Sequence, residues 1–153
     1  MSTPQTARTP RVPDAGVRAA MMADHAGIST LFDDLVAAFR SGDRDEASAM
    51  FAQFEKRLEG HLALEDELLL PALRAAHPEE AAALAEDHRR IRARLAELGV
   101  GVDLHLTRAS WVNDFVDSLR AHAQREDALL YRWAAEPTAR IDTRAVLRRL
   151  SAL

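Results

Sequence analysis

Apolar residues recur at steps of three and four along four long stretches of the chain, separated by short polar or proline-bearing breaks. From Asp14, a residue type that caps helices, Met21, Ile28, Phe32, Leu35 and Phe39 share a stripe until Ser41-Gly42-Asp43 stops it, which predicts a helix over about 14–40. With Asp43 as the next cap, Met50, Phe54, Leu58 and Leu68 predict a second helix over about 44–72, ended by Pro71 and then His77-Pro78. Pro78 followed by Glu79 and Glu80 reads as a first helical turn, and Leu84, Ile91, Leu95 and Leu98 carry a third helix over about 78–98, up to the glycines flanking Val100. A fourth, over about 104–135, is expected to bury Trp111, Phe115, Leu119, Leu129 and Trp133 before Pro137.

Four helices on short connections predict an all-α fold, an up-down-up-down antiparallel four-helix bundle over 14–136. Residues 1–13, with Pro4, Pro10 and Pro13 among polar neighbours, are expected to be a disordered tail. The tail at 137–153 holds Ile141, Leu147 and Leu150 among arginines, the pattern of a short amphipathic helix that packs on the bundle or on a second subunit, so a homodimer is one expected state.

The polar residues that interrupt these stripes form a pattern of their own. His25 lies between Met21 and Ile28, His61 and Glu65 between Leu58 and Leu68, His88 between Leu84 and Ile91, and His122 and Glu126 between Leu119 and Leu129. Every helix turns one histidine inward. The spacing of four within 61/65 and 122/126 sets imidazole and carboxylate one above the other on one face, and an acidic residue follows each glutamate. Heights agree as well. His25 is 17 residues before Gly42 and His61 is 19 after it, a mismatch of only about 3 Å at the helical rise. Glu65 and His88 stand at similar distances from the second bend, so all six residues converge on one layer. His77 and His105 fall outside it.

A single inward histidine, or a single HxxxE, is commonly a hydrogen-bonded structural pair. Four level histidines with two copies of HxxxE require another explanation. Burying two ionised carboxylates costs several kcal/mol each without a cation, and no Lys or Arg falls on these stripes near the layer. A metal supplies that charge. The chain has no cysteine, so the ligands must be nitrogen and oxygen, and two carboxylates reaching one layer from different helices can bridge two ions while leaving positions open.

Composition narrows the remaining choices. A net charge of −4, with 24 acidic and 20 basic residues spread along the chain, leaves no electrostatic footprint for nucleic acid. No apolar run reaches membrane-spanning length, and the polar, proline-broken N-terminus lacks a signal-peptide segment, so a cytoplasmic protein without a membrane partner is expected.

Together, ADHAGI at His25, GHLALEDELLLP at His61 and Glu65, AEDHRRI at His88, and AHAQREDALLYRW at His122 and Glu126 resemble the hemerythrin-like HHE family. The resemblance implies a non-heme di-iron centre with metal ligands His25, His61, Glu65, His88, His122 and Glu126. Glu65 and Glu126 would bridge two iron ions with an oxo or hydroxo group, leaving a site for O2 or NO. By the same analogy His25 and His61 serve one iron, His88 and His122 the other. Oxygen-carrying hemerythrins place a further histidine four residues from the one on the third helix. Here that position is Arg92, with Leu84 on the other side, which predicts a more symmetric centre. Bundles of ferritin type use Glu-x-x-His, and no histidine here has a glutamate three residues before it. The function expected is binding or sensing of a diatomic ligand. The alternatives are a di-iron enzyme or iron donor in oxidative or nitrosative stress (peroxide or NO reduction, ferroxidation, iron-centre repair), and a zinc-filled structural bundle.

Overall fold

A computed structural model describes residues 16–153. The tail expected at 1–13 and the cap expected at Asp14 lie outside the described residues. Every regular element among the described residues is helical. Helix α1 (Val17–Ser41) begins after Gly16 and buries Val17, Met21, Ile28, Phe32 and Leu35 on one face. It ends at Gly42, whose φ of +76° is the left-handed conformation that glycine adopts without a Cβ penalty. The Asp43 side chain then accepts the Glu46 backbone N–H at 3.0 Å, starting α2 (Arg44–Leu64).

Pro71 does not end this helix. The chain passes through one π turn, Glu65–Leu69, in which the Leu70 N–H donates to the Glu65 carbonyl, and continues as α3 (Leu70–Ala76) with Pro71 in its first turn. The wider turn accommodates a residue that has no N–H and whose ring would crowd the preceding carbonyls. It also adds a residue to the repeat, so Leu69 goes to the core where the pattern had placed Leu68. Phe51 likewise takes the core place expected for Met50, which is half-buried.

Helix α4 (Pro78–Asp103) starts as expected and runs past the glycines that were expected to stop it. Their small size serves close packing instead: a Cβ on Gly101 would lie 2.5 Å from Thr107 Oγ1, and the Gly101 carbonyl accepts from both Leu106 and Thr107. The next helix, α5 (Ala109–Ala128), therefore begins later than expected. Trp111 and Leu129, assigned to the core by the pattern, are 55% and 50% exposed. The buried face is Val112, Phe115, Val116, His122 and Glu126. At Leu129 the backbone departs from regular helix (φ −112°, ψ −70°), and α6 (Leu130–Ala134) turns Leu130 and Tyr131 fully inward.

The long helices pack in a ring, α1 on α2, α2 on α4, α4 on α5 and α5 on α1. Helix α7 (Thr143–Leu150), capped by Asp142, seats Val146 against this ring and touches α1 and α2 of its own chain. Two apolar clusters result. One contains Ile28, Phe32, Leu35, Phe54, Leu58, Ile91, Leu95 and Phe115; the other contains Met21, Leu64, Leu69, Leu73, Leu84, Leu130, Tyr131 and Val146. Along every long helix the inward histidine falls between them, so the polar layer is sandwiched by apolar packing.

Candidate metal centre

The layer brings all six sequence-selected residues together. Glu65 and Glu126 are fully buried, His61, His88 and His122 are buried, and the His25 side chain is 14% exposed. Two groups of potential donor atoms overlap: His25, His61, Glu65 and Glu126 form one, and Glu65, His88, His122 and Glu126 form the other. Both share the two glutamates. Each histidine presents Nε2 to the centre: His25 Nε2 is 3.3 Å from Glu126 Oε2, His61 Nε2 3.4 Å from Glu65 Oε1, and His88 Nε2 3.2 Å from Glu126 Oε1. His122 Nε2 is 2.8 Å from Glu126 Oε1 yet is not aligned for a hydrogen bond with it.

That misalignment tests whether the donors suit a cation. His122 Nε2 and Glu65 Oε2 are buried without hydrogen-bond partners, and an unpartnered buried polar atom costs about 1–3 kcal/mol. Lone pairs that face one another without a proton between them suit a shared positive ion. In the metal-free chain, protons supply part of that charge. Burial disfavours the His61 imidazolium, but the adjacent Glu65 carboxylate and the hydrogen bond to Asp24 outweigh it and push the pKa up to about 10. For His88, burial is again overcome by the hydrogen bond to Glu126 and the nearby Glu65 carboxylate, giving about 10. Burial would raise the Glu126 carboxyl, but the close imidazoles of His122, His25 and His88 hold it well below the ordinary carboxylate range. The donors are those of a cation site, with protons as placeholders.

An outer layer of carboxylates was missed from the sequence. His61 Nδ1 donates to Asp24 and His88 Nδ1 to Asp66, each at 2.7 Å. His25 Nδ1 lies 3.4 Å from Asp127 and His122 Nδ1 3.5 Å from Asp87, without hydrogen-bond alignment. Each aspartate adjoins a central residue in sequence, Asp24-His25, Glu65-Asp66, Asp87-His88 and Glu126-Asp127, yet faces the histidine of a different helix. The signal was present as those acidic dipeptides. Holding Nδ1–H in this way keeps the Nε2 lone pair for the centre. Arginines brace the ring: Arg57 pairs with Asp24, Arg125 with Asp87, and Arg92 donates to Glu59 at 2.8 Å and Asp66 at 2.7 Å. The Arg92 guanidinium thus stays out of the layer.

Tyr131 was also missed, because a lone tyrosine in a leucine-rich run reads as core. Its hydroxyl donates to Glu65 and lies 2.9 Å from His25 Nε2, 3.3 Å from His61 Nε2 and 3.5 Å from Glu126 Oε2. Burial, together with the Glu65 and Glu126 charges, holds its pKa well above the ordinary tyrosine range. Each half of the layer has two histidines and shares the two glutamates, and the phenol stands beside one half only.

A cavity of about 280 Å³ reaches the layer between α1 and α5. Ile28, Phe32, Phe54, Leu58 and Leu119 wall it, and His25, His61, His122 and Glu126 form its polar end. No helix among the described residues is long and apolar enough to cross a membrane.

No curated protein and no solved structure matches the chain. The family model of the hemerythrin HHE cation binding domain matches residues 17–134 and, a second time, 80–151. The first match covers α1 to α6 with all six central residues, and the chain belongs to the hemerythrin HHE cation binding domain family.

Proposed function

We propose that this protein is a non-heme di-iron protein that binds or senses a diatomic ligand, O2 or NO, in an up-down-up-down antiparallel four-helix bundle. One observation carries the reading: two four-residue donor groups share a pair of fully buried carboxylates at the end of an apolar cavity. His25 and His61 would hold one ion, His88 and His122 the other, and Glu65 and Glu126 both. Imidazole and carboxylate suit iron. When bound, iron supplies a redox-active Lewis acid able to take a small neutral ligand.

The chain's own residues do the rest. Asp24 and Asp66 keep His61 and His88 oriented with Nε2 toward the centre. The apolar walls favour a small uncharged ligand over an ionic one, since a charge entering them would lose its hydration. Two carboxylates offset part of the charge of two cations, which lowers the cost of holding both in a buried layer.

Metal analysis of the aerobically purified protein, followed by anaerobic reduction and titration with NO and with O2, tests the reading. About two irons per chain and a saturable spectral change with either gas are the expected outcome. Stoichiometric zinc, or iron whose spectrum neither gas alters, would overturn it.

A further inference from the structure

We infer that Tyr131 is itself a metal ligand, its phenolic oxygen completing a five-donor set with His25, His61, Glu65 and Glu126 and making the two ion positions unlike. This rests on the di-iron reading above and adds a donor to one side of it. Five donor atoms converge on one side of the layer, four of them within 4.8 Å of one another. Among these four, His25 Nε2 to His61 Nε2 is 3.1 Å, His61 Nε2 to Glu65 Oε1 is 3.4 Å, and Glu126 Oε2 to His25 Nε2 is 3.3 Å. Tyr131 Oη is the fifth, hydrogen-bonded to Glu65 and 2.9, 3.3 and 3.5 Å from His25, His61 and Glu126. An octahedral ion with nitrogen and oxygen donors at roughly 2.1 Å sets neighbouring donors about 3.0 Å apart. The six separations given above, 2.9 to 3.5 Å, stand near that spacing.

Protons satisfy this convergence only while an imidazole carries one. A phenol has one proton, and here Glu65 accepts it. Once both imidazoles present lone pairs, three further acceptors face the same oxygen with nothing between them. A cation within the set satisfies all of them.

The asymmetry follows from the sequence repeat. Five residues after Glu126 stands Tyr131, whereas five after Glu65 stands Leu70. Both positions follow an irregularity, the break at Leu129 and the π turn at Glu65–Leu69, and both side chains are buried in the same apolar cluster. Only the second repeat brings an oxygen. That cluster lies on one side of the polar layer, and the cavity is walled by the cluster on the other. The phenol therefore enters from the side away from the cavity and leaves the cavity side to an external ligand. On ligation Tyr131 releases its phenolic proton to solvent as the oxygen–iron(III) bond forms, with no change in oxidation state.

Tyr131 is the chain's one tyrosine, so any tyrosine signal at the metal belongs to it. The test is resonance Raman spectroscopy with visible excitation on aerobically iron-loaded protein, prepared with ordinary and with ring-deuterated tyrosine, beside Tyr131→Phe and with iron quantified in each sample. The inference expects enhanced phenolate ring modes that shift on deuteration, and a visible charge-transfer band lost in Tyr131→Phe while that variant still holds iron. Two irons in the wild type without tyrosine modes, or a band unchanged in Tyr131→Phe, would overturn the ligand and leave the di-iron reading standing. Failure of the wild type to take up iron would overturn both. If circular dichroism shows that Tyr131→Phe does not fold, the isotope shift in the wild type decides alone.

Discussion

Asp24 adjoins His25 in the chain, but its carboxylate accepts the Nδ1–H of His61, 2.7 Å away on the neighbouring helix, while Arg57 holds its other oxygen. Burial would raise the Asp24 carboxyl, yet the bond and charge of His61 and then of Arg57 keep it below its ordinary value. The same displacement recurs around the layer, so each helix that supplies a donor to the centre also supplies a carboxylate that faces a neighbour's donor. Cation affinity and the packing of adjacent helices are thereby coupled.

Asp24→Asn should keep the fold and weaken iron binding by about 10- to 100-fold, the usual effect of removing a carboxylate behind a ligating histidine. Competition with a chelator measures it. Asp127→Asn, whose carboxylate is 3.4 Å from His25 Nδ1 and unaligned, should lose less. Equal losses would mean that the hydrogen bond to His61 has no special part in affinity.

Replacing a shared carboxylate should divide the pair. Glu65→Gln retains volume and one acceptor oxygen but removes charge that offsets two cations, so iron content should fall from roughly two per chain to roughly one. Quantitative iron analysis with circular dichroism to confirm helicity decides this. A fully loaded, spectrally unchanged variant would show that Glu65 is not shared.

The metal-free chain should be most stable in mildly acidic solution. His61 and His88 are raised from 6.5 to about 10, so the folded state binds those protons more tightly than the unfolded one. Their contribution is complete below pH 6.5 and is lost as pH rises toward 10. Glu126 is depressed below 4.5, so its contribution is complete above pH 4.5 and is lost as pH falls through its lowered value. Urea unfolding of chelator-treated protein should show a maximum between pH 4.5 and 6.5. Iron should reverse the alkaline slope, because ligation requires the deprotonated donors. A metal-free stability that rises steadily through alkaline pH would contradict the proton-placeholder account.

The helix break at Leu129 makes a prediction about adjacent leucines. Leu130 is fully buried and Leu129 is 50% exposed. Leu130→Ala should cost about 2–5 kcal/mol, and Leu129→Ala should stay within about 0.5 kcal/mol. Thermal unfolding of the two variants checks the register directly, and the opposite ranking would restore the continuous stripe that the sequence pattern suggests.

The helical class, the positions of the bends at Gly42 and Pro78, and the convergence of His25, His61, Glu65, His88, His122 and Glu126 were all legible in the sequence. They depend on local chemistry and a fixed helical rise, which a chain displays residue by residue. The phase of the repeat beyond Glu65 and Glu126 was not. A π turn and a break at Leu129 each shift the inward face, and that is why Leu69, Leu130 and Tyr131 replace the expected Leu68, Leu129 and Trp133 at the deepest positions. Nor could one-dimensional spacing pair Asp24 with His61 or Asp66 with His88, since each contact joins two helices whose relative rotation is set by how their apolar faces interlock. Tyr131 depended on both effects at once: a local irregularity turned it inward, and the packing of three helices placed the Glu65, His25 and Glu126 donors around its oxygen.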